Sequence, residues 1–208
     1  MSDMPPWDQR LARILVRPLA RTGVTPNQIT TFALAVGLTG AALLATGDGT
    51  HANWGAGLFI LSRFLDHFDG ELARLKQTSS RFGYYYDYAA GGISYAALFL
   101  CMGVGLRAGP LGSWALTLGL AGTAAALISL FGNIAIDNKN AAGATPEDEK
   151  PVGYPAIWGF ELEDGIYLLG PITWFGWLQP FFVAAGVGAV VYCLWTLWSL
   201  VRLGGDES

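Results

Sequence analysis

The sequence predicts an all-α membrane protein in which six transmembrane helices follow an amphipathic interfacial helix. Three observations carry this reading. Of the 208 residues, 52% are hydrophobic and only 13% charged, against about a quarter charged in a soluble domain. Apolar stretches recur at the ~20-residue length that crosses a hydrocarbon core. Near the amino terminus, Arg10, Arg13, Arg17 and Arg21 follow one another at helical spacing, interleaved with Trp7, Leu11, Ile14, Leu15 and Leu19.

Residues 5–22 read as the interfacial helix, with arginines toward anionic head groups and a kink at Pro18. The same arginines also suit a positive flank that orients the first crossing. The first span is expected over 26–46, opened by Thr25-Pro26-Asn27 with proline at the first helical position. The second covers about 52–75, and its last third carries Arg63, Asp66 and Asp69. Ser80 caps the third, about 81–106. Gly109-Pro110 marks a turn before the fourth, about 113–136. Residues 137–164 read as a polar loop containing Glu147-Asp148-Glu149-Lys150-Pro151. The fifth span, about 164–178, is short and interrupted by Pro171. The sixth, about 179–200, ends in Arg202 and an acidic Gly-Gly tail. One domain accounts for residues 1–208, with the six-helix bundle at 26–200.

Charge asymmetry sets the expected orientation. With the amino terminus in the cytoplasm, inner segments hold Arg10, Arg13, Arg17, Arg21, Arg74, Lys76, Arg81, Lys139, Lys150 and Arg202, and outer loops hold Arg107. The positive-inside rule therefore places both termini, and the hairpin from Asp66 to Asp87, on the cytoplasmic side. No secretory leader is expected, because Met1 precedes polar residues and prolines. Cys101 and Cys193 lie in apolar segments and read as structural thiols. A net charge of -4 without a basic tract gives no reason to expect a nucleic-acid partner.

The chemistry concentrates between residues 63 and 92. Ionisable groups at membrane depth are costly unless they face a partner, a cation or water. Asp66, Asp69, Gly70 and Ala73 share one helical face at i, i+3, i+4 and i+7, and Gly83, Asp87 and Gly91 share another at i, i+4 and i+8. A short turn between the two helices makes them antiparallel, with the faces able to meet. Three converging carboxylates repel at low dielectric, and a hard divalent cation, Mg²⁺, Mn²⁺ or Ca²⁺, resolves the conflict. Gly70, Ala73 and Gly83 leave room for close approach, and Arg74 offers a planar donor for phosphate. These are the parts needed to bind a diphosphate. Arg63 reads equally as a counter-ion or a ligand, Glu71 as a cytoplasm-facing acid, His67 as a packed or interfacial residue, and Tyr84, Tyr85, Tyr86 and Tyr88 as an aromatic belt. An ion path through the membrane fits poorly, because the carboxylates crowd one end.

At these residues the chain resembles the CDP-alcohol phosphotransferase family, recognised by D-x2-D-G-x2-A-R-x8-G-x3-D-x3-D. Asp66, Asp69, Gly70, Ala73, Arg74, Gly83 and Asp87 match in type and spacing, and the last position is Gly91. Thr25-Pro26-Asn27-Gln-Ile-Thr30 also looks like the start of the family's first span. The resemblance implies a membrane transferase of phospholipid biosynthesis that moves a substituted phosphate, in most members phosphatidyl, from a CDP-linked lipid donor to an alcohol and releases CMP. It implies Asp66, Asp69 and Asp87 as ligands of Mg²⁺ or Mn²⁺, and Asn27, Gly70, Ala73, Arg74 and Gly83 along the CDP site. It further implies a homodimer in the bacterial inner membrane.

Gly91 departs from the family at the position usually assigned to the base that deprotonates the acceptor. General-base help is worth ~10²–10⁴ in rate. Glu163 and Asp164, clustered with Glu161 just before the fifth span, are nominated as a replacement, with His67 and Glu71 weaker. Two alternatives stand beside this: a single remaining metal that activates the acceptor, or a protein that binds CDP-lipid without turnover. The acceptor alcohol is left open.

Overall fold

The computed structural model describes residues 7–143 and 162–205. All regular structure among them is helical. Helix α1 (Trp7–Leu15) is followed by a 3₁₀ turn (Leu19–Arg21), α2 (Pro26–Leu44), α3 (Gly49–Lys76), α4 (Arg81–Leu106) and α5 (Ser113–Gly143). A second 3₁₀ segment (Leu162–Leu168) leads into α6 (Leu169–Trp174) and α7 (Leu178–Gly205).

The helix starts follow local chemistry. Thr25 closes a capping box on α2: its hydroxyl accepts from the Gln28 N–H at 3.4 Å, and the Gln28 side chain accepts from the Thr25 N–H at 2.9 Å. Asp48 caps α3 by accepting from the His51 N–H at 2.9 Å, and Ser80 caps α4 by accepting from the Gly83 N–H at 3.0 Å. The turn between α3 and α4 is made by Gln77, which takes the left-handed conformation at φ 55°. Lys76 anchors this corner by donating to the Thr22 and Val24 carbonyls, each at 2.7 Å.

Among the described residues, four helices, α2, α4, α5 and α7, are long and apolar enough to cross a membrane. The expected second span, α3, has 28 residues, but charges crowd its final third. The expected fifth span is divided: seven residues of 3₁₀ helix pass into a six-residue α6, too short alone for a ~30 Å core. Pro171 does not break it, because it lies in the first turn of α6, where a missing N–H leaves no intrahelical bond unmade. The expected loop from residue 137 is also corrected, since α5 continues to Gly143. At the amino terminus the helix stops at Leu15, before Pro18.

Small residues bring the backbones together. A Cβ at Gly40 would meet the Gly55 carbonyl at 2.7 Å, and one at Gly103 would meet the Ala115 carbonyl at 2.7 Å. The α2–α3 and α4–α5 pairs therefore pack at backbone contact, as expected where lipid removes the hydrophobic drive between helices. Leu44, Phe59, Leu98, Met102, Leu169 and Phe182 form one buried cluster, with Tyr95 packed against it. A second, Ala12, Val16, Ile29, Phe68 and Leu72, seats α1 on α3. Helix α2 packs along both α3 and α4, while α3 and α4 approach each other little. The two aspartate-bearing helices therefore face each other across a gap, and their acidic faces meet there through side chains. Cys193 is buried, Cys101 is half-buried, and both are free thiols.

Candidate metal centre

The gap between α3 and α4 is lined by acids. One carboxylate oxygen from each of Asp66, Asp69 and Asp87 lies within 4.8 Å of the other two. Asp69 is buried, and Asp66 and Asp87 are half-buried. The helical spacing explains the geometry: Asp66 and Asp69 lie almost one turn apart on α3, and Asp87 projects from the second turn of α4.

Each α3 carboxylate is held by neighbours. The Thr30 hydroxyl of α2 donates to Asp69 Oδ2, and the Gly70 N–H donates to Asp69 Oδ1 at 2.5 Å. Arg63 Nη2 stands 2.8 Å from Asp66 Oδ2, and the same guanidinium lies 5.1 Å from the Tyr95 ring centroid. Arg63 is only 9% exposed. A Cβ at Gly91 would lie 3.8 Å from Arg63 Nη1, so a guanidinium stands beside the position where the family motif has its last aspartate.

The expected nucleotide-side residues surround the mouth of this gap. A Cβ at Gly70 would lie 3.6 Å from Arg74 Nη2, and one at Gly83 would lie 3.4 Å from Asn27 Oδ1. Gly70 and Arg74 therefore neighbour each other on α3, and Gly83 and Asn27 across α2 and α4. Ala73 is half-buried beside them. The Arg74 side chain is 65% exposed and contacts Glu71 Oε1 at 2.9 Å. Glu71 is itself buried, and its other oxygen lies 3.8 Å from Arg13 of α1. The expectation of a cytoplasm-facing Glu71 is thus corrected: two arginines hold it inward.

Of the nominated bases, His67 is turned away from the carboxylate cluster toward α1. His67 Nε2 lies 2.8 Å from Asp8 Oδ2, and the Tyr167 hydroxyl donates to that same oxygen at 3.1 Å. The Tyr167 ring also lies 5.4 Å from that of Trp7. Glu163 and Asp164 fall in the 3₁₀ segment before α6, with their side chains outside the described residues, as is the whole of Glu161. The tyrosines do more than form a belt. Tyr84 and Tyr88 donate to Asp137 Oδ2 at 2.5 and 2.6 Å, and Tyr85 donates to Asn138 Oδ1 at 2.7 Å.

Sequence reasoning missed Thr30, Asp8 and Asp137. Thr30 follows Asn27 at i, i+3, so its shared face was readable, but its contact with Asp69 was not. Asp8 heads an i, i+4, i+8 stripe with Ala12 and Val16, all buried, and that stripe was a signal that α1 turns an acid inward.

Oxygens bound to one Mg²⁺ or Mn²⁺ stand ~3–4 Å apart. A small side-chain rotation therefore brings the three carboxylates onto one ion, and hard oxygen donors suit these cations.

A family model described as CDP-alcohol phosphatidyltransferase matches residues 23–151. Every residue of the carboxylate cluster and its mouth lies within that segment, whereas Asp8, Glu163 and Asp164 lie outside. No curated protein gives a significant match. Two crystal structures of the Mycobacterium tuberculosis phosphatidylinositol phosphate synthase PgsA1 share the fold. The one with CDP-DAG bound is 19% identical, with a TM-score of 0.69, over 92% of this chain and 94% of that chain. The one in complex with manganese and citrate is 22% identical, with a TM-score of 0.61, over 91% and 88%.

Proposed function

Because the chain belongs to the CDP-alcohol phosphatidyltransferase family, we propose that it transfers a phosphatidyl group from a CDP-linked lipid donor to an alcohol, releasing CMP, in phospholipid biosynthesis. The observation that carries this reading is the convergence of Asp66, Asp69 and Asp87 within 4.8 Å, inside the family-matched segment. The CDP-DAG and manganese in the PgsA1 structures support the donor and the metal.

Asp66, Asp69 and Asp87 would hold Mg²⁺ or Mn²⁺, with Thr30 and the Gly70 N–H orienting Asp69. A bound divalent ion offsets the charge of the diphosphate. Arg74, aimed by Glu71, offers paired N–H donors to a phosphate oxygen. Gly70, Ala73 and Gly83 keep the wall low enough for the diphosphate to approach, and Asn27 presents an amide at the same mouth. In the transfer, the acceptor oxygen bonds to the lipid-side phosphorus as the bridging oxygen leaves with CMP. The acceptor's proton passes to a base, for which Glu163, Asp164 and His67 are the nominees. Position 91 supplies none. His67 keeps Nδ1 for such a role while Nε2–H donates to Asp8.

The chain forms one domain that crosses the membrane six times, with α3 and the 3₁₀–α6 segment added to the four long apolar helices. The arginine-rich α1 lies in the interface. Both termini and the site face the cytoplasm of a bacterial inner membrane in this reading, and the ten-to-one distribution of basic residues supports the sidedness. The protein is read as a homodimer, which mass measurement in detergent would check.

Purified protein, CDP-diacylglycerol, Mn²⁺ or Mg²⁺ and a panel of alcohols should release CMP together with a new lipid, and EDTA should stop both. Gly91 favours one rival reading, a binder without turnover. Metal-dependent CDP-diacylglycerol binding with no CMP from any acceptor would establish that rival instead.

A further inference from the structure

We infer that Arg63 stands in for a second cation, so that the Asp66–Asp69–Asp87 centre takes one divalent ion per chain. This inference rests on the reading of the three aspartates as metal ligands and adds a stoichiometry to it.

The first argument is charge. Three carboxylates carry a formal charge of -3, and the guanidinium 2.8 Å from Asp66 reduces it to -2. One divalent ion balances that remainder. A second would leave a net positive cluster beside a guanidinium that does not deprotonate, in a half-buried site where like charges repel strongly. The second argument is ligand supply. A further hard ion needs oxygens of its own. Asp66 Oδ2 already pairs with Arg63, and the position one turn beyond Asp87 on the same face is Gly91, which offers no side-chain oxygen.

The third argument is fixation. Arg63 is 9% exposed and lies against the Tyr95 ring, so it is a built part of the gap wall and not a mobile surface cation. Its Nη1 lies 3.8 Å from the Cβ position of residue 91. That separation is ordinary contact, so an aspartate fits there sterically. Its carboxylate would then lie against the guanidinium and pair with it. Restoring an acid at position 91 thus makes an ion pair, and a second metal site requires removal of Arg63 as well.

Mn²⁺ titration of the full chain in detergent, followed by electron paramagnetic resonance and elemental analysis, tests this. The native chain should bind one Mn²⁺ with an uncoupled spectrum, and Gly91→Asp should still bind one. Arg63→Leu should bind one at least tenfold more tightly. The Arg63→Leu/Gly91→Asp double variant should bind two, with dipolar broadening. Two coupled ions in the native chain, a second ion in Gly91→Asp alone, or one ion in a folded double variant would overturn the inference. If the double variant fails gel filtration, Arg63→Gln/Gly91→Asp takes its place, and the native and single-variant counts decide independently. Absence of Mn²⁺ binding by the native chain would instead reject the metal reading beneath it.

Discussion

Asp69 is the most constrained acid of the centre. It is buried, with Thr30 holding one oxygen and the Gly70 N–H the other. Asp66 is fixed by Arg63, so both α3 carboxylates are oriented before any ligand arrives. Preorganised charge of this kind matters most to catalysis where water is scarce. Asp66→Asn, Asp69→Asn and Asp87→Asn should each abolish measurable Mn²⁺ binding and lower CMP release by at least ~10²-fold. An Asp87→Asn enzyme with native Mn²⁺ affinity would remove that residue from the ligand set. Thr30→Val should be milder: losing a hydrogen bond to a charged group, worth ~1.5–3 kcal/mol, should weaken Mn²⁺ binding by roughly 10–150-fold with the fold intact. The base is separable from the ligands. Among Glu163→Gln, Asp164→Asn and His67→Asn, the variant that lacks the base should lose ~10²–10⁴ in kcat while its Mn²⁺ affinity stays native. Native kcat in all three would show that none of them accepts the proton.

At the scale of elements, α1 is tied to the site helix by two polar contacts. Asp8, 2% exposed, pairs with His67 beside Asp66, and Arg13 reaches Glu71, which in turn holds Arg74. Leaving a buried charge without its partner costs ~3–5 kcal/mol. His67→Leu should therefore release α1, read as faster hydrogen exchange over 7–21 and faster tryptic cleavage at Arg13 and Arg17. Exchange unchanged from the native chain would mean that the Asp8–His67 pair is dispensable, with the Arg13–Glu71 and Tyr167–Asp8 contacts and the packing of Ala12 and Val16 enough to hold the helix. This clasp also shows where sequence reading stops. The aspartate faces, the Thr25 and Ser80 caps and the long apolar stretches were legible because each depends on residues within a turn or two. Asp8, His67 and Tyr167 come from three distant elements, and local periodicity carries nothing about their meeting. The passage of α2 between α3 and α4 was hidden for the same reason. Residues 137–139 read as loop because Asp137, Asn138 and Lys139 are polar. In the fold, Tyr84 and Tyr88 satisfy Asp137 and allow α5 to run on. The convergence of Asp66, Asp69 and Asp87 needed only helical spacing and a short connecting turn, so it could be anticipated. The guanidinium beside Gly91 could not.

For the whole molecule, orientation in the bilayer decides whether the centre meets its substrates. CDP-linked donors form where nucleotides are available, so a gap between the inner ends of α3 and α4 must open to the cytoplasm to work. The charge asymmetry favours the proposed orientation, and the large exposed apolar residues fit a lipid-facing exterior: Phe131 is 69% and Val201 74% exposed, in helices long and apolar enough to span. The crossing count ties the orientation of the ends together. If α3 and the 3₁₀–α6 segment both cross, the termini share a side; if only one crosses, they lie on opposite sides. Cysteine labelling separates these arrangements. In a Cys101→Ala/Cys193→Ala background, Ser2→Cys, Ser79→Cys and Ser208→Cys should react with a membrane-impermeant maleimide only after permeabilisation of intact cells. Gly109→Cys, in the turn between α4 and α5, should react without it. Labelling of Ser208→Cys from outside, with Ser2→Cys still protected, would reduce the crossings to an odd number. The 3₁₀–α6 segment would then be a re-entrant element, because the charges of α3 must reach the same face as Ser79 for Asp66 and Asp87 to meet.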